Sequence, residues 1–372
     1  ISLVVNFFIG IELGANVVIA NAIGREDTDA VHRAVHTAVV VAVLGGVLVT
    51  VLGELAAGPA LRALNVPAEV LPYALLYLRI YLLGVPVILL YNFEAAIFRS
   101  VGDTRVPLQT LAFSGVLNVL LNLFFVIVLH MTVNGVATAT VLSNAISSVL
   151  LFVRLRRSDK AIHLEWAELR IDRRSLQKIL QIGIPAGIQS AVFSISNIVI
   201  QSAINSLGTV VMAASSAAFN IEVVAYDVLN SFSQACTTFV GQNYGAGKLD
   251  RCRKTLVLCL VEDALASGIA ILLVLGSGHF LLSLFNRDPE VIALGYTRLM
   301  TVFTAYFFSM LYEVMSGYLR GFGISLVPAL LTMLGVCGVR ILWIATAFPR
   351  SRTFQTILLA YPLSLAATAV LI

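Results

Sequence analysis

Long apolar stretches separated by short polar breaks run through the whole chain. A membrane-spanning helix needs about 20 mostly apolar residues. Eleven stretches meet that length, near 1–23, 34–57, 71–97, 107–130, 133–153, 179–206, 213–241, 254–282, 293–318, 327–348 and 354–372. The first reads as a spanning helix entered partway, because it has neither the basic leader nor the small-residue cleavage site of a signal peptide. The pattern predicts an all-α polytopic membrane protein.

Charge in the polar breaks sets the orientation. With alternating crossings, the breaks at 24–33, 99–106, 154–178, 242–254 and 319–326 share one side and hold 17 Lys and Arg. The opposite breaks hold Arg62, Arg287, Arg298, Arg350 and Arg352, which leaves Arg79 and Arg340 inside helices. The richer side is cytoplasmic by the positive-inside rule. The longest break, 154–178, reads as a cytoplasmic linker between an N-terminal bundle, 1–153, and a C-terminal bundle, 179–372. Its second half predicts a short helix on the membrane face, capped by Asp172.

Composition agrees with this picture and narrows the chemistry. The 372 residues are 59% hydrophobic and 12% charged, against roughly 25% charged in soluble domains. A net charge of +4 is too small to imply a nucleic-acid partner. The four cysteines have no CxxC spacing and the five histidines no HExxH spacing, so neither a metal site nor a cofactor is expected. The expected setting is the cell membrane, with the lipid bilayer as partner.

The two halves match at one offset. ANAIGREDTDAVHR (20–33) aligns with GQNYGAGKLDRCRK (241–254), LNVPAEV (64–70) with FNRDPEV (285–291), and FRSVGDTRVP (98–107) with LRGFGISLVP (319–328), all 221 residues apart. Gly24 meets Gly245, Asn65 meets Asn286, Arg99 meets Arg320 and Gly102 meets Gly323. Each pair falls on the same side of the membrane, so the repeats are parallel. The stretch at 179–206 has no partner in the first half, which predicts twelve helices in two bundles of six, the first lying before residue 1.

The turn at 241–251 has the look of a phosphate loop, but fails that test. A Walker loop needs G-x-x-x-x-G-K-[ST] after a strand. Here Gln242 stands at the first glycine, Leu249 follows Lys248, and an apolar helix precedes it. A left-handed glycine cap ending the helix is the better reading. Asp29 and Asp250 are placed to bind the turn or pair with nearby Arg and Lys.

These residues resemble the multidrug and toxic compound extrusion (MATE) transporters. The resemblance rests on Gln242 to Gly247, on Arg320 to Gly323 with Pro328, on the looser copies Asn21 to Gly24 and Arg99 to Pro107, and on IGIPAGIQ at 182–189. It covers essentially the whole chain. It implies antiport: export of organic, often cationic drugs or metabolites in exchange for Na⁺ or H⁺, by a monomer. The chain departs from family patterns in having no acid at 185–205, and an aspartate on a first helix lies outside it.

Charges inside a span cost roughly 2.5–3.5 kcal/mol at the centre and are functional candidates. They are Glu12, Glu94, Glu222, Asp227, Glu262, Asp263, Glu313 and Arg340. In helix 213–241, Asp227, Asn230, Ser231, Gln234 and Thr238 share a face, with Asn220 two turns earlier. Helix 179–206 carries a second stripe of Ser190, Ser194, Asn197, Gln201 and Asn205. Two polar stripes predict either a wet cavity or interhelical hydrogen bonding. Asp227, read as buried, is the leading residue for ion coupling or substrate contact.

Glu222 is placed toward the outer end, four residues before Tyr226, facing a vestibule or outside water. Glu313 lies two turns before Arg320, on the same face, and is one partner open to Arg340. Asn118 and Asn122, with Asn6 and Asn16, are expected to meet in the first bundle.

An enzyme is not indicated, since no nucleophile or paired-carboxylate constellation is present. The alternative is a lipid-linked saccharide flippase, which the scarcity of basic residues within the helices disfavours.

Overall fold

The computed structural model describes residues 2–63, 69–158 and 161–372. The repeat partner Asn65 and the linker residue Lys160 lie outside the described residues. The fold is all-helical: α1 (Ser2–Gly24), α2 (Thr28–Ala63), α3 (Leu71–Ser100), α4 (Arg105–Leu123), α5 (Val133–Arg156), α6 (Arg173–Asn205), α7 (Thr209–Gly245), α8 (Leu249–Ser283), α9 (Pro289–Thr304), α10 (Tyr306–Gly321), α11 (Leu326–Thr332), α12 (Val339–Thr346), α13 (Phe354–Leu358) and α14 (Ala360–Leu371). Among the described residues ten helical stretches are long and apolar enough to cross a membrane, and α9 with α10, bent by 47° at Ala305, makes an eleventh span. A π-helical turn at Met333–Gly338 joins α11 to α12, and another at Phe124–Val128 extends α4.

Several helices overshoot the apolar runs that predicted them. With 36 and 37 residues, α2 and α7 are about 55 Å long at 1.5 Å per residue, against about 30 Å of hydrocarbon. Arg33, Arg251, Arg253 and Lys254 accordingly sit on the first two turns of α2 and α8 rather than in loops. The loops shrink to turns because each is closed by its own hydrogen bonds.

Those turns carry the repeat into three dimensions. Lys248 N–H donates to Asn243 O (2.9 Å) and Gly247 N–H to Tyr244 O (3.0 Å). At the same offset, Asp27 N–H donates to Ala22 O (3.2 Å) and Glu26 N–H to Ile23 O (2.9 Å). Both are Schellman caps, which need one residue in the left-handed region. That residue is Gly247 (φ 71°) in one copy and Glu26 (φ 58°) in the other, not the aligned pair Gly24 and Gly245, which end the helices. Gly102 (φ 80°) and Gly323 (φ 85°) form the second matched pair.

A left-handed L-residue costs roughly 1–2 kcal/mol. Nothing lies within 4 Å of a Cβ built on Gly247. Gly247→Ala is thus expected to lower stability by about 1 kcal/mol and Glu26→Gly to raise it by up to about 1 kcal/mol, read as opposite shifts in Tm of the purified protein. Equal shifts would remove this account of the turns. Asp29 and Asp250 lie in the first turns of α2 and α8, where a helix N-terminus favours a carboxylate.

The chain forms two compact units, Ile1–Gly187 and Ile188–Ile372. The division falls inside α6, whose first half belongs to one unit and second half to the other. The short linker helix expected near 172–181 is instead the start of α6, which continues through Pro185 to Asn205. Asp172 does cap it: its Oδ2 accepts from Ser175 N–H and Ser175 Oγ–H, both at 2.8 Å. These donors hold the Asp172 carboxyl below the usual carboxylate range.

Part of the described linker packs against the first unit, although most of its residues stay exposed. Ile162 and Leu164 are fully buried in the core of the first unit. Glu165 N–H donates to His36 Nε2 (3.0 Å), and Asp172 N–H to Thr37 Oγ1 (3.0 Å). Trp166 meets Phe152 edge-on at 5.0 Å.

Candidate functional site: buried charges in each unit

In the first unit, α1 and α3 are tied together at their charged positions. Glu12, buried in α1, pairs with Arg99 at the end of α3. Asn16 Nδ2 donates to Ala96 O (3.1 Å) one turn further along α1. Glu94 is completely buried and accepts from Ser148 Oγ of α5 (3.0 Å). Asn118 Nδ2 donates to Ser143 Oγ of α5 (3.2 Å), and Asn122 Nδ2 to Asn118 Oδ1 (3.0 Å). Asn16 thus binds to α3 and Asn118 to α5. These bonds tie α1 to α3 and α4 to α5, while Asn122 bonds to Asn118 within α4, and each satisfies a polar group that lipid cannot.

In the second unit, two expected pairings are exchanged for others. Arg298 is not in an outer loop. It lies within α9, with side-chain exposure of 3%. Its Nε donates to Glu222 Oε1 (2.7 Å) and its Nη2 to Oε2 (2.9 Å), a bidentate fork. Nη1 donates to Ser215 Oγ, and the rings of Phe219 and Tyr361 lie 5.8 and 5.4 Å from the guanidinium carbon. Glu222 therefore faces a buried cation instead of an outer vestibule. The early start of α9 explains the error: Asp288 Oδ1 caps it, accepting from Glu290 N–H (2.9 Å), and Pro289 follows at the first position.

Tyr226, freed from Glu222, donates its hydroxyl to Glu313 Oε1 at 3.0 Å. Ser233 Oγ donates to the Glu313 carbonyl (2.7 Å), which locks α7 against α10. The cation acting on the Glu313 carboxylate is Arg320, two turns on, whose Nη2 donates to Gln189 Oε1 (2.7 Å). The expected Glu313–Arg340 pair does not form. Arg340 donates from Nε to Ser364 Oγ (3.0 Å) and stacks on Tyr361 at 4.6 Å. The Arg340 position follows the π turn at Met333–Gly338, whose extra residue rotates the start of α12 relative to a regular helix.

Asp227 is exposed, not buried. It stands at the midpoint of α7, with exposed Ser231 and Asn220 and partly exposed Asn230 and Gln234 on the same face. On α6, Asn197 and Gln201 are also exposed, and Gln201 Nε2 donates to Asn205 Oδ1 (2.8 Å) within its own helix. A carboxylate exposed within a span must meet water rather than lipid, because hydrocarbon leaves it unsolvated. Beside it in sequence, Tyr226 reaches the buried Glu313. An exposed carboxylate and the residue that bonds a buried one therefore occupy neighbouring positions of one helix.

Comparison with known proteins agrees with this architecture. The MatE family model matches residues 1–124 and 185–345. The probable multidrug resistance protein YoeA of Bacillus subtilis is 26% identical over 348 residues, covering 91% of this chain and 75% of that protein. The multidrug export protein MepA of Staphylococcus haemolyticus is 21% identical, covering 84% and 69%. An outward-facing MATE family transporter of the MOP superfamily superposes with a TM-score of 0.91 at 19% identity, covering 99% of this chain and 83% of that one. A variant of the Vibrio cholerae MATE transporter VcmN gives 0.89 at 17% identity, covering 99% and 84%. At these identities the solved structures show the fold alone.

Proposed function

This chain belongs to the MatE family, and from that premise we propose that it is a secondary antiporter expelling small organic, often cationic compounds in exchange for H⁺ or Na⁺. It is a multi-pass membrane transporter and not an enzyme. The names of YoeA and MepA, a probable resistance protein and an export protein for multiple drugs, support drugs as the substrate class.

The observation that carries the reading is the Tyr226–Glu313 hydrogen bond beside exposed Asp227. Asp227, Asn230, Ser231 and Gln234 give a cationic substrate one carboxylate and several neutral polar contacts on a wetted face. Glu313 binds the coupling ion on α10, about two turns beyond the bend at Ala305 where α9 meets α10. Substrate arriving at Asp227 perturbs Tyr226, one residue away, and through its hydroxyl the ion-binding state of Glu313. One charge moving down about 100 mV supplies about 2.3 kcal/mol, enough for roughly 50-fold concentration of a neutral substrate at about 1.4 kcal/mol per decade. A monovalent cation exchanged one for one moves no net charge and is driven by the ion's concentration gradient.

The test is ethidium transport in proteoliposomes with an imposed H⁺ gradient, and separately an imposed Na⁺ gradient. Glu313→Gln is expected to retain ethidium binding and lose gradient-driven accumulation. Asp227→Asn is expected to weaken binding itself. Full coupling in Glu313→Gln together with undiminished binding in Asp227→Asn would remove both residues from the mechanism.

A further inference from the structure

A second carboxylate in the same unit is less well provided for than Glu313. Asp263 lies on α8, about 20 Å from the helix start at 1.5 Å per residue. It is completely buried. Its Oδ1 accepts from Ser267 Oγ at 2.6 Å, and its Oδ2 is buried without a partner. An ionised carboxylate offers about four lone-pair sites, of which one is filled here.

Helix α8 packs against α7, α9 and α10. The titratable and charged groups these carry in their inner stretches are Glu222, Tyr226, exposed Asp227 and Cys236 on α7, Tyr296 and Arg298 on α9, and Tyr306, Tyr312, Glu313, Tyr318 and Arg320 on α10. Cys259 and Glu262 flank Asp263 on α8 itself. Arg298 is taken by Glu222 and Arg320 by Gln189. The charged neighbour that acts on Asp263 from a packed helix is Glu313, another anion.

We propose that Asp263 carries an exchangeable proton on Oδ2, as a proton site in the transport cycle additional to the coupling-ion site at Glu313. The transport role rests on the antiport reading above, whereas the proton itself rests on the geometry. A buried carboxylate with one hydrogen bond, no cation and an anionic neighbour is neutralised at far less cost by a proton than it is held charged. A hard metal cation needs a shell of several oxygens, and among the described residues no cluster of three His, Cys, Asp or Glu could hold one. A proton needs a single lone pair, and Oδ2 offers one. The balance is simple: Oδ2 gains H⁺ from water and later returns it to water, with no other bond changed.

Infrared difference spectroscopy of the purified, substrate-free protein reads this directly, through the C=O stretch of protonated carboxyls at neutral pH. Asp263→Asn should remove one carboxyl component, and Asn preserves the shape and the bond from Ser267. Ser267→Ala should keep that component and move it to higher wavenumber, because its C=O loses a donor; this identifies the band as belonging to Asp263. In proteoliposomes, Asp263→Asn should also flatten the pH dependence of ethidium efflux. A carboxyl band unchanged in Asp263→Asn overturns the proposal, and so does a lost band with an unaltered efflux pH profile. Absence of gradient-driven transport by the unsubstituted protein would instead defeat the antiport reading, with the band still reporting whether Asp263 holds its proton.

Discussion

Glu222→Gln is expected to destabilise the second unit by about 3–5 kcal/mol, the usual cost of removing one partner from a buried ion pair. Glu222 and Arg298 are both almost wholly buried, and the pair is bidentate at 2.7 and 2.9 Å. The guanidinium cannot shed its charge, since arginine stays protonated in proteins. Gln keeps the volume and one acceptor, so the measured loss is that of the neutralising charge and not of packing. Ser215 and the rings of Phe219 and Tyr361 remain to soften the loss, but a neutral hydroxyl and two ring faces do not replace a carboxylate.

The double variant Glu222→Leu with Arg298→Met separates this cause from a general packing defect. Replacing both charges with apolar groups of similar size is often neutral or stabilising. The double variant should therefore recover most of the thermal stability that Glu222→Gln loses in detergent. A double variant as unstable as the single one would show that the pair is not the source of the loss.

The second large effect is expected in the first unit, at Gly183→Ala. Gly10 and Gly14 on α1 face Gly183 and Gly187 on α6, so two GxxxG segments cross backbone to backbone. Such small residues let membrane helices approach closely. A Cβ on Gly183 would stand 2.6 Å from Ile11 Cα and 3.1 Å from Gly10 O. These are backbone atoms, which cannot swing aside as a side-chain tip does.

Two terms oppose each other. Alanine gains about 1 kcal/mol over glycine in helix propensity, while overpacking costs typically 1–3 kcal/mol, and here two helices must part to relieve it. The steric term should win, giving a net loss of about 2 kcal/mol. Gly268→Ala on α8 has nothing within 4 Å of its Cβ and isolates the propensity term; it should gain up to about 1 kcal/mol. The check is the Tm of each purified variant, and Gly183→Ala as stable as Gly268→Ala would sink the steric account.

Both effects concern features that left traces in the sequence. The segments GIELG at 10–14 and GIPAG at 183–187 are plain GxxxG patterns, and the small-residue spacing is what could have revealed the crossing. The sequence Asp288-Pro289-Glu290 is a helix start, and reading it so places Arg298 inside α9. Asp227 was legible as a polar-face residue but not as an exposed one. Periodicity says which residues share a face, and says nothing about whether that face meets a neighbouring helix or water.

The sequence by itself determined the spans and the duplication at an offset of 221, and its loop charge predicts the cytoplasmic side. These depend on local hydropathy, loop charge and turn chemistry, all written within a few dozen residues. A glycine turn after each repeated helix was legible there too, but only the structure placed the left-handed residue at Gly247 and at Glu26 rather than at the aligned Gly24 and Gly245. Tertiary structure alone decided which polar groups pair. Glu222 meets Arg298 across 76 positions and Tyr226 meets Glu313 across 87. The physical reason is that a buried charge is satisfied by whichever group the packed helices bring within about 3 Å, and a bend at Ala305 or a π turn at 333–338 rotates those groups without altering the hydropathy that marks the span.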